Sequence, residues 1–204
     1  MTPPNIEALL ARARQNDRSA LSAVLQAYEP QLLRMIQLRL DPTLRRRVEP
    51  DDILQEAFLE AVRRFDEWNA DPRCPFLVWL RLTCAKSLAT AQRTHFGAQK
   101  RDVGREQVIV DRPSISAANA AEYFVASQTS PSQAATREEM HALLLRALED
   151  LDEIDREILI LRNFEELSNE DAAAELGIEP GTASKRFARA LVRLRPALRA
   201  LEKD

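Results

Sequence analysis

The sequence predicts an all-α protein of two helical domains joined by a flexible linker. Three observations point there. Ala, Leu, Arg and Glu dominate and only four glycines occur, a composition that favours helices over sheets. Apolar residues recur at steps of three and four along most of the chain. One stretch, 102–130, lacks that period and is rich in small and polar residues, as a linker with room for short ordered pieces would be.

The elements follow in order. Residues 5–40 place Leu9, Leu10, Leu21, Val24, Leu25, Tyr28, Leu32, Leu33, Ile36 and Leu40 at helical spacing. Asp17 or Ser19 offers a cap for a second helix after Gln15-Asn16. "DPTLRRRVEP" breaks the pattern, and Pro50 suits the first position of the next helix. That helix sets Ile53, Ala57, Ala61, Phe65 and Trp68 on one stripe, with Phe58 also turned inward. "NADPRCP" reads as a loop. A further helix from about 76 to 93 has Phe76, Trp79, Leu80, Thr83 and Leu88 as its core face. After 102–130, Ser130 serves as N-cap and Pro131 as first helical residue of another helix. The expected domains are therefore 5–101 and 131–201.

Several functional classes are disfavoured. No apolar run approaches the roughly 18 residues of a membrane helix. The N-terminus lacks a charged head followed by an apolar core, so no secretory signal is expected. Two cysteines, Cys74 and Cys84, make no disulfide framework, which favours a reducing cytoplasm. His95 and His141 have no metal spacing with either cysteine, so no metal site is expected. There is no Gly-rich phosphate loop and no catalytic constellation, so neither a cofactor nor enzymatic activity is expected.

The net charge of -3 conceals a segregation. From Pro72 to Arg101 there are six bases and no acid. From Glu138 to Glu179 fourteen acids face three arginines. From Pro180 to Leu201 there are again six bases and no acid. Local charge, not the net figure, sets the field that a partner meets.

"LSNEDAAAELGIEPGTASKRFARALVRL" has the grammar of a helix-turn-helix. Ser168 caps the first helix, with Asp171 three residues on as a short-armed capping box. Ala173 and Leu176 face inward, Gly177 ends the helix, Ile178 packs in the turn and Pro180 opens the second helix. There Ala183, Phe187, Ala190, Leu191 and Leu194 form an apolar stripe. Thr182, Lys185, Arg186, Arg189 and Arg193 share another face, the candidate surface for duplex DNA. An ordinary solvated helix would need neither the short glycine turn nor the complete lack of acids.

These residues resemble the extracytoplasmic-function (ECF) class of bacterial RNA polymerase sigma factors. The family pattern of the second domain is met by Leu148, Leu151, Arg156, Leu161, Arg162, Leu167, Ser168, Ala173, Leu176, Gly177, Ile178, Gly181, Thr182, Arg186, Arg189 and Ala190. Upstream, "DDILQEAF" resembles the sigma-two segment that docks on the clamp coiled coil of the polymerase largest subunit. The resemblance implies docking through Asp52, Gln55 and Glu56, and Glu60 shares their helix face. "CPFLVWLRLTCAKSLATAQRTHFGAQKR" resembles the segment that melts and reads the minus-ten element, with Phe76, Trp79 and Leu80 as the family's F-x-x-W-L start. Arg73, Arg81, Lys86, Arg93, Lys100 and Arg101 are the cations available to a single strand there. Lys86 stands where the family often has Asn, and Trp79 is read as core rather than as a stacking platform.

The resemblance thus implies a promoter-specificity subunit. Its partners would be core polymerase (clamp coiled coil and the flap of the second-largest subunit) and promoter DNA, and an anti-sigma protein is compatible. The second domain would read the minus-thirty-five duplex. The 29 residues of 102–130 extend to about 100 Å, against about 70 Å for two turns of duplex. The competing reading is a helix-turn-helix regulator that is not a polymerase subunit; it leaves "DDILQE" and the 76–101 block unexplained.

Overall fold

The computed structural model describes residues 5–41, 43–97, 115–128 and 134–201. Among them every regular element is an α-helix. The chain forms two compact units, Met1–Pro113 and Ser114–Asp204.

The first unit holds α1 (Ile6–Ala13), α2 (Arg18–Arg39), α3 (Pro50–Ala70) and α4 (Phe76–Gly97). Asn16 takes a positive φ of 67° and turns the chain between α1 and α2. Asp17, not Ser19, is the N-cap of α2: its Oδ1 accepts from the Ala20 amide at 3.1 Å and from the Ser19 hydroxyl at 2.6 Å. Arg12 donates to the other oxygen at 2.6 Å. The Ser19 hydroxyl, the Ala20 amide and Arg12 together hold the Asp17 carboxyl well below the usual carboxylate range. Pro50 begins α3, where its missing N–H costs nothing.

The core of this unit is the expected α3 stripe closed by α2 and α4. Ile53, Ala57, Ala61, Phe65 and Trp68 are all buried. Phe76 lies 5.0 Å from Trp68 and 6.0 Å from Phe65, both edge-on. Trp79 is partly buried and stacks 5.8 Å from Trp68, so it belongs to this aromatic cluster. The Trp68 indole N–H donates to the Cys74 carbonyl at 3.2 Å, which ties the 71–75 loop to the core. On α4, Leu80, Cys84 and Leu88 form the inward stripe.

The second unit holds α5 (Ala117–Gln128), α6 (Ala134–Glu149), α7 (Glu153–Asn163), α8 (Asn169–Leu176) and α9 (Pro180–Leu201). The first of these, α5, falls within the 102–130 span read as a linker with short ordered pieces, and it is a 12-residue helix that belongs to the second unit. Ser116 caps it, accepting from the Asn119 amide at 3.1 Å. Ala120 and Ala121 are wholly buried, and small side chains let α5 lie close against α6. Phe124 and Tyr123 meet Phe164 edge to face at 4.5 and 5.7 Å. Just before α5, the Ile115 amide donates to Glu157 and its carbonyl accepts from Arg156 at 3.2 Å. As a helix, the 12 residues of α5 span about 18 Å rather than about 40 Å extended, which shortens the reach of the span. Ser130 and Pro131 lie outside the described residues.

Gly177 sits just past α8 at φ 66°. The Ile178 amide donates to the Ala173 carbonyl at 3.0 Å and the Gly177 amide to Ala174 at 3.3 Å, a Schellman closure. Gly181 lies inside α9, with open space where a Cβ would stand. Gly177→Ala should therefore destabilise the second unit by about 1 kcal/mol, through the left-handed backbone alone. Gly181→Ala should be neutral or stabilising. Protection of α8 and α9 amides against hydrogen exchange in the full chain separates the two outcomes.

Candidate nucleic-acid interface

The helix-turn-helix of the second unit is built by short polar ties around a small apolar core. Ser168 Oγ accepts from the Asp171 amide at 3.0 Å, the expected N-cap bond, and donates to the Asp171 carboxylate at 2.8 Å, so the short acid meets the cap hydroxyl where a full capping box would reach the cap's backbone N–H. Ile158, Leu161, Leu167, Ala172, Ala173 and Ala183 are buried together, with Leu176, Ile178 and Phe187 packed against them. The Asn169 side chain bridges the two helices: its amide donates to the Pro180 carbonyl and its oxygen accepts from the Ser184 hydroxyl, both at 3.0 Å. Arg162 stacks its guanidinium 4.3 Å above the Phe187 ring. These contacts fix the angle at which α9 is presented.

On α9 the inward stripe is Ala183, Ala190, Leu194 and Ala197. Leu191, expected on that stripe, is 36% exposed, because it lies at the stripe's far edge as the helix turns. Thr182, Lys185 and Arg193 face solvent, as do Arg195 and Arg199. Arg186 and Arg189, from the same predicted row, are engaged by Asp155 of α7. Arg186 Nη1 donates to Asp155 Oδ1 at 2.6 Å. Arg189 Nε and Nη2 donate to Oδ2 and Oδ1, each at 3.2 Å. Asp155 is wholly buried, while the two arginine side chains are 27% and 50% exposed. Burial pushes the Asp155 carboxyl up, but hydrogen bonds and charge from Arg189 and Arg186 outweigh it and hold the group below its ordinary range. The same pairing raises Arg189.

Asp155 is the charged partner of α9 that sequence reasoning passed over. A signal existed: Asp155, Ile158 and Leu161 fall at three-residue steps, so an acid occupies a buried stripe. A buried charge needs partners, and their identity depends on the tertiary fold.

In the first unit, Asp52, Gln55 and Glu56 are exposed on α3, and Glu60 is partly so. Arg63 lies 3.8 Å from Glu56 and 3.5 Å from Glu60, and Arg64 lies 3.9 Å from Glu60. Two of the four polar docking candidates thus carry local countercharge. Leu59 and Val62, 53% and 50% exposed, share this side of α3 and went unremarked in the sequence.

The cations of the 72–101 block separate on inspection. Lys86 and Arg93 are exposed on α4. Arg73 is exposed but bonded to Asp71 at 2.8 Å, and this pairing raises it. Arg81 is wholly buried and so is withdrawn as a strand-contacting cation: it lies on the inward stripe with Cys84 and Leu88, out of reach of a phosphate. Lys100 and Arg101 lie outside the described residues. Between α3 and α4 runs a cleft of about 490 Å³, whose walls include Asp52, Glu56 and Glu60 on one side and Lys86, Thr90 and Thr94 on the other. Among the described residues no group of three or more His, Cys, Asp or Glu is placed to hold a metal. Nor is any described helix long and apolar enough to cross a membrane.

Comparison with known proteins gives four findings. Residues 141–194 match the family model described as Sigma-70, region 4. The chain is 30% identical over 195 residues to the ECF RNA polymerase sigma factor SigD of Mycobacterium tuberculosis, covering 96% of this chain and 84% of that protein. It is 28% identical to the RNA polymerase sigma-H factor of Pseudomonas aeruginosa, covering 100% and 99%. Among solved structures, CnrH in complex with the cytosolic domain of CnrY matches with a TM-score of 0.55 at 21% identity, over 95% of this chain and 96% of that one.

The acid response of the second unit follows from Asp155. Its folded pKa lies below the unfolded value of about 3.9, so its stabilisation is complete above that value. It is lost as pH falls through the folded pKa. Asp155→Asn should lower the protection of α7 and α9 amides at pH 7, and its deficit against wild type should shrink toward pH 3. Exchange rates corrected for intrinsic pH dependence measure this; a constant deficit would assign the loss to packing.

Proposed function

The chain belongs to the extracytoplasmic-function sigma factors of bacterial RNA polymerase, and on that premise we propose how its two units divide the work of promoter-specific initiation. The first unit docks on core polymerase through the exposed α3 face of Asp52, Gln55, Glu56 and Glu60. The neighbouring apolar Leu59 and Val62 add the surface that a clamp-helix partner would desolvate. Residues of α4 and its preceding loop meet the minus-ten strand, with Lys86 and Arg93 as accessible cations and Arg73 exposed but paired with Asp71. The second unit reads the minus-thirty-five duplex. Thr182, Lys185 and Arg193 of α9 are its direct contacts, while the flap of the second-largest subunit supplies its protein contact. An anti-sigma protein that covers these surfaces is a further partner class. The protein acts as an initiation factor rather than an enzyme.

The observation that carries this assignment is α9 itself: a helix without an acid, presented by a tightly closed glycine turn, in one chain with the acid-faced α3. A stand-alone regulator would account for the first feature and not the second.

Run-off transcription with purified core polymerase tests the function as a whole: added protein should give promoter-specific initiation on genomic templates. The division of labour has its own test. Lys185→Ala should weaken holoenzyme binding to minus-thirty-five duplex on the order of tenfold at low salt and reduce the salt slope by about one. Gln55→Ala should leave duplex recognition by the assembled holoenzyme intact and weaken core binding. If both substitutions impair both assays equally, the division is wrong.

A further inference from the structure

Lys185, Arg186, Arg189 and Arg193 are spaced on α9 as one cationic row, yet the row is not uniformly available. Lys185 and Arg193 are solvated. Arg186 and Arg189 converge on a single carboxylate, and three N–H donors are committed to its two oxygens at 2.6 to 3.2 Å. Asp152, at the start of α7, adds a second acid 4.0 Å from Arg186. A carboxylate gripped by two guanidinium groups presents them with the charge and oxygen geometry that a DNA phosphate would otherwise offer. Asp155 is also better placed than a phosphate, because it is buried and joined to the same fold, while DNA arrives from solution.

We propose that Asp155 sets how strongly α9 grips DNA of any sequence: by holding Arg186 and Arg189 as an internal stand-in for phosphate, it withholds two positive charges from the DNA backbone and leaves duplex recognition to Thr182, Lys185 and Arg193. This rests on the assignment of α9 as the duplex reader. Phosphate contacts supply sequence-independent affinity, so each cation withheld weakens binding to wrong sequences as well as right ones. What remains is a larger share of contacts that depend on where the helix sits in the groove. Asp155 touches no DNA in this scheme and acts only through the two arginines.

The test uses holoenzyme assembled on purified core polymerase, a promoter fragment found by run-off transcription and a scrambled duplex of equal length. With Asp155→Asn, the slope of log affinity against log salt on the scrambled duplex should steepen by up to about 1.8, from two added phosphate contacts at about 0.9 each. Affinity for the promoter and the scrambled duplex should rise together, on the order of tenfold at low salt, because phosphate contacts do not discriminate between them. Asp155→Glu, which keeps the charge, should restore the slope. A purely structural role would weaken both duplexes and leave the slope unchanged, which overturns the proposal. A second measurement needs no variant. In wild-type holoenzyme, modification of arginines by phenylglyoxal, read by mass spectrometry, should be slow at Arg186 and Arg189 with or without promoter. Arg193 should react quickly and become protected by DNA. Fast, DNA-protected reaction at Arg186 and Arg189 would likewise overturn it. If wild-type holoenzyme shows no promoter preference, the assignment of α9 fails and this inference fails with it.

Discussion

A carboxylate removed from water stays charged only where donors surround it, and Asp155 finds them in two arginines one turn apart on α9. The pairing spans 31 and 34 residues of chain. Each arginine, partly exposed, keeps some of its hydration, but removing both would strand the buried carboxylate. That penalty makes the roll of α9 about its own axis a discrete choice. Once Arg186 and Arg189 are turned to α7, Ala183, Ala190 and Leu194 fall into the core and Lys185 is carried outward. The Asn169 bridge and the Arg162–Phe187 stack then fix the tilt. The presentation of the whole helix thus follows from one charge, assisted by neighbours that are individually weak.

The parts of the fold written in local grammar were legible before any coordinates. Asp17, Pro50, Ser168 and Gly177 each act within four residues of their own position, and the α3 stripe repeats at helical spacing; a sequence displays such relations directly. What was illegible depends on distant partners. Helix α5 has small residues and no sustained period, so its stability comes from Phe164 and α6 rather than from its own pattern. Arg81 looked like one more base in an acid-free block, yet it sits on the inward stripe of α4 with Cys84 and Leu88. Local composition counts a charge without saying which way it faces. The same blindness hid Asp155 and overcounted the free cations of α9.

Charge in this chain therefore has to be resolved twice, first by segment and then by exposure. Segment counting explains how a protein of net charge -3 carries two acid-free basic blocks. Exposure then thins those blocks: Arg81 is buried, Arg73 is bonded to Asp71, and Arg186 and Arg189 are held by Asp155. On the acidic side the same thinning appears, since Glu56 and Glu60 of α3 have Arg63 within 4 Å. Exposed ion pairs of this kind are worth little to stability. Their effect is on the field, which they soften at short range.

A subunit that reads promoter DNA as part of a polymerase has reason to carry a muted field. Backbone affinity grows with every free cation and does not discriminate between sequences. A helix with all of its bases exposed would bind any duplex, and the free protein would be spread over the genome. An internal carboxylate limits that affinity without removing the arginines, which go on serving the fold by fixing the roll of the helix. The pairing thereby couples two properties that would otherwise vary independently: how firmly the reading helix is held, and how much charge it shows. A change that frees the arginines to grip DNA also loosens the helix that carries them, so tighter non-specific binding and poorer positioning would arrive together.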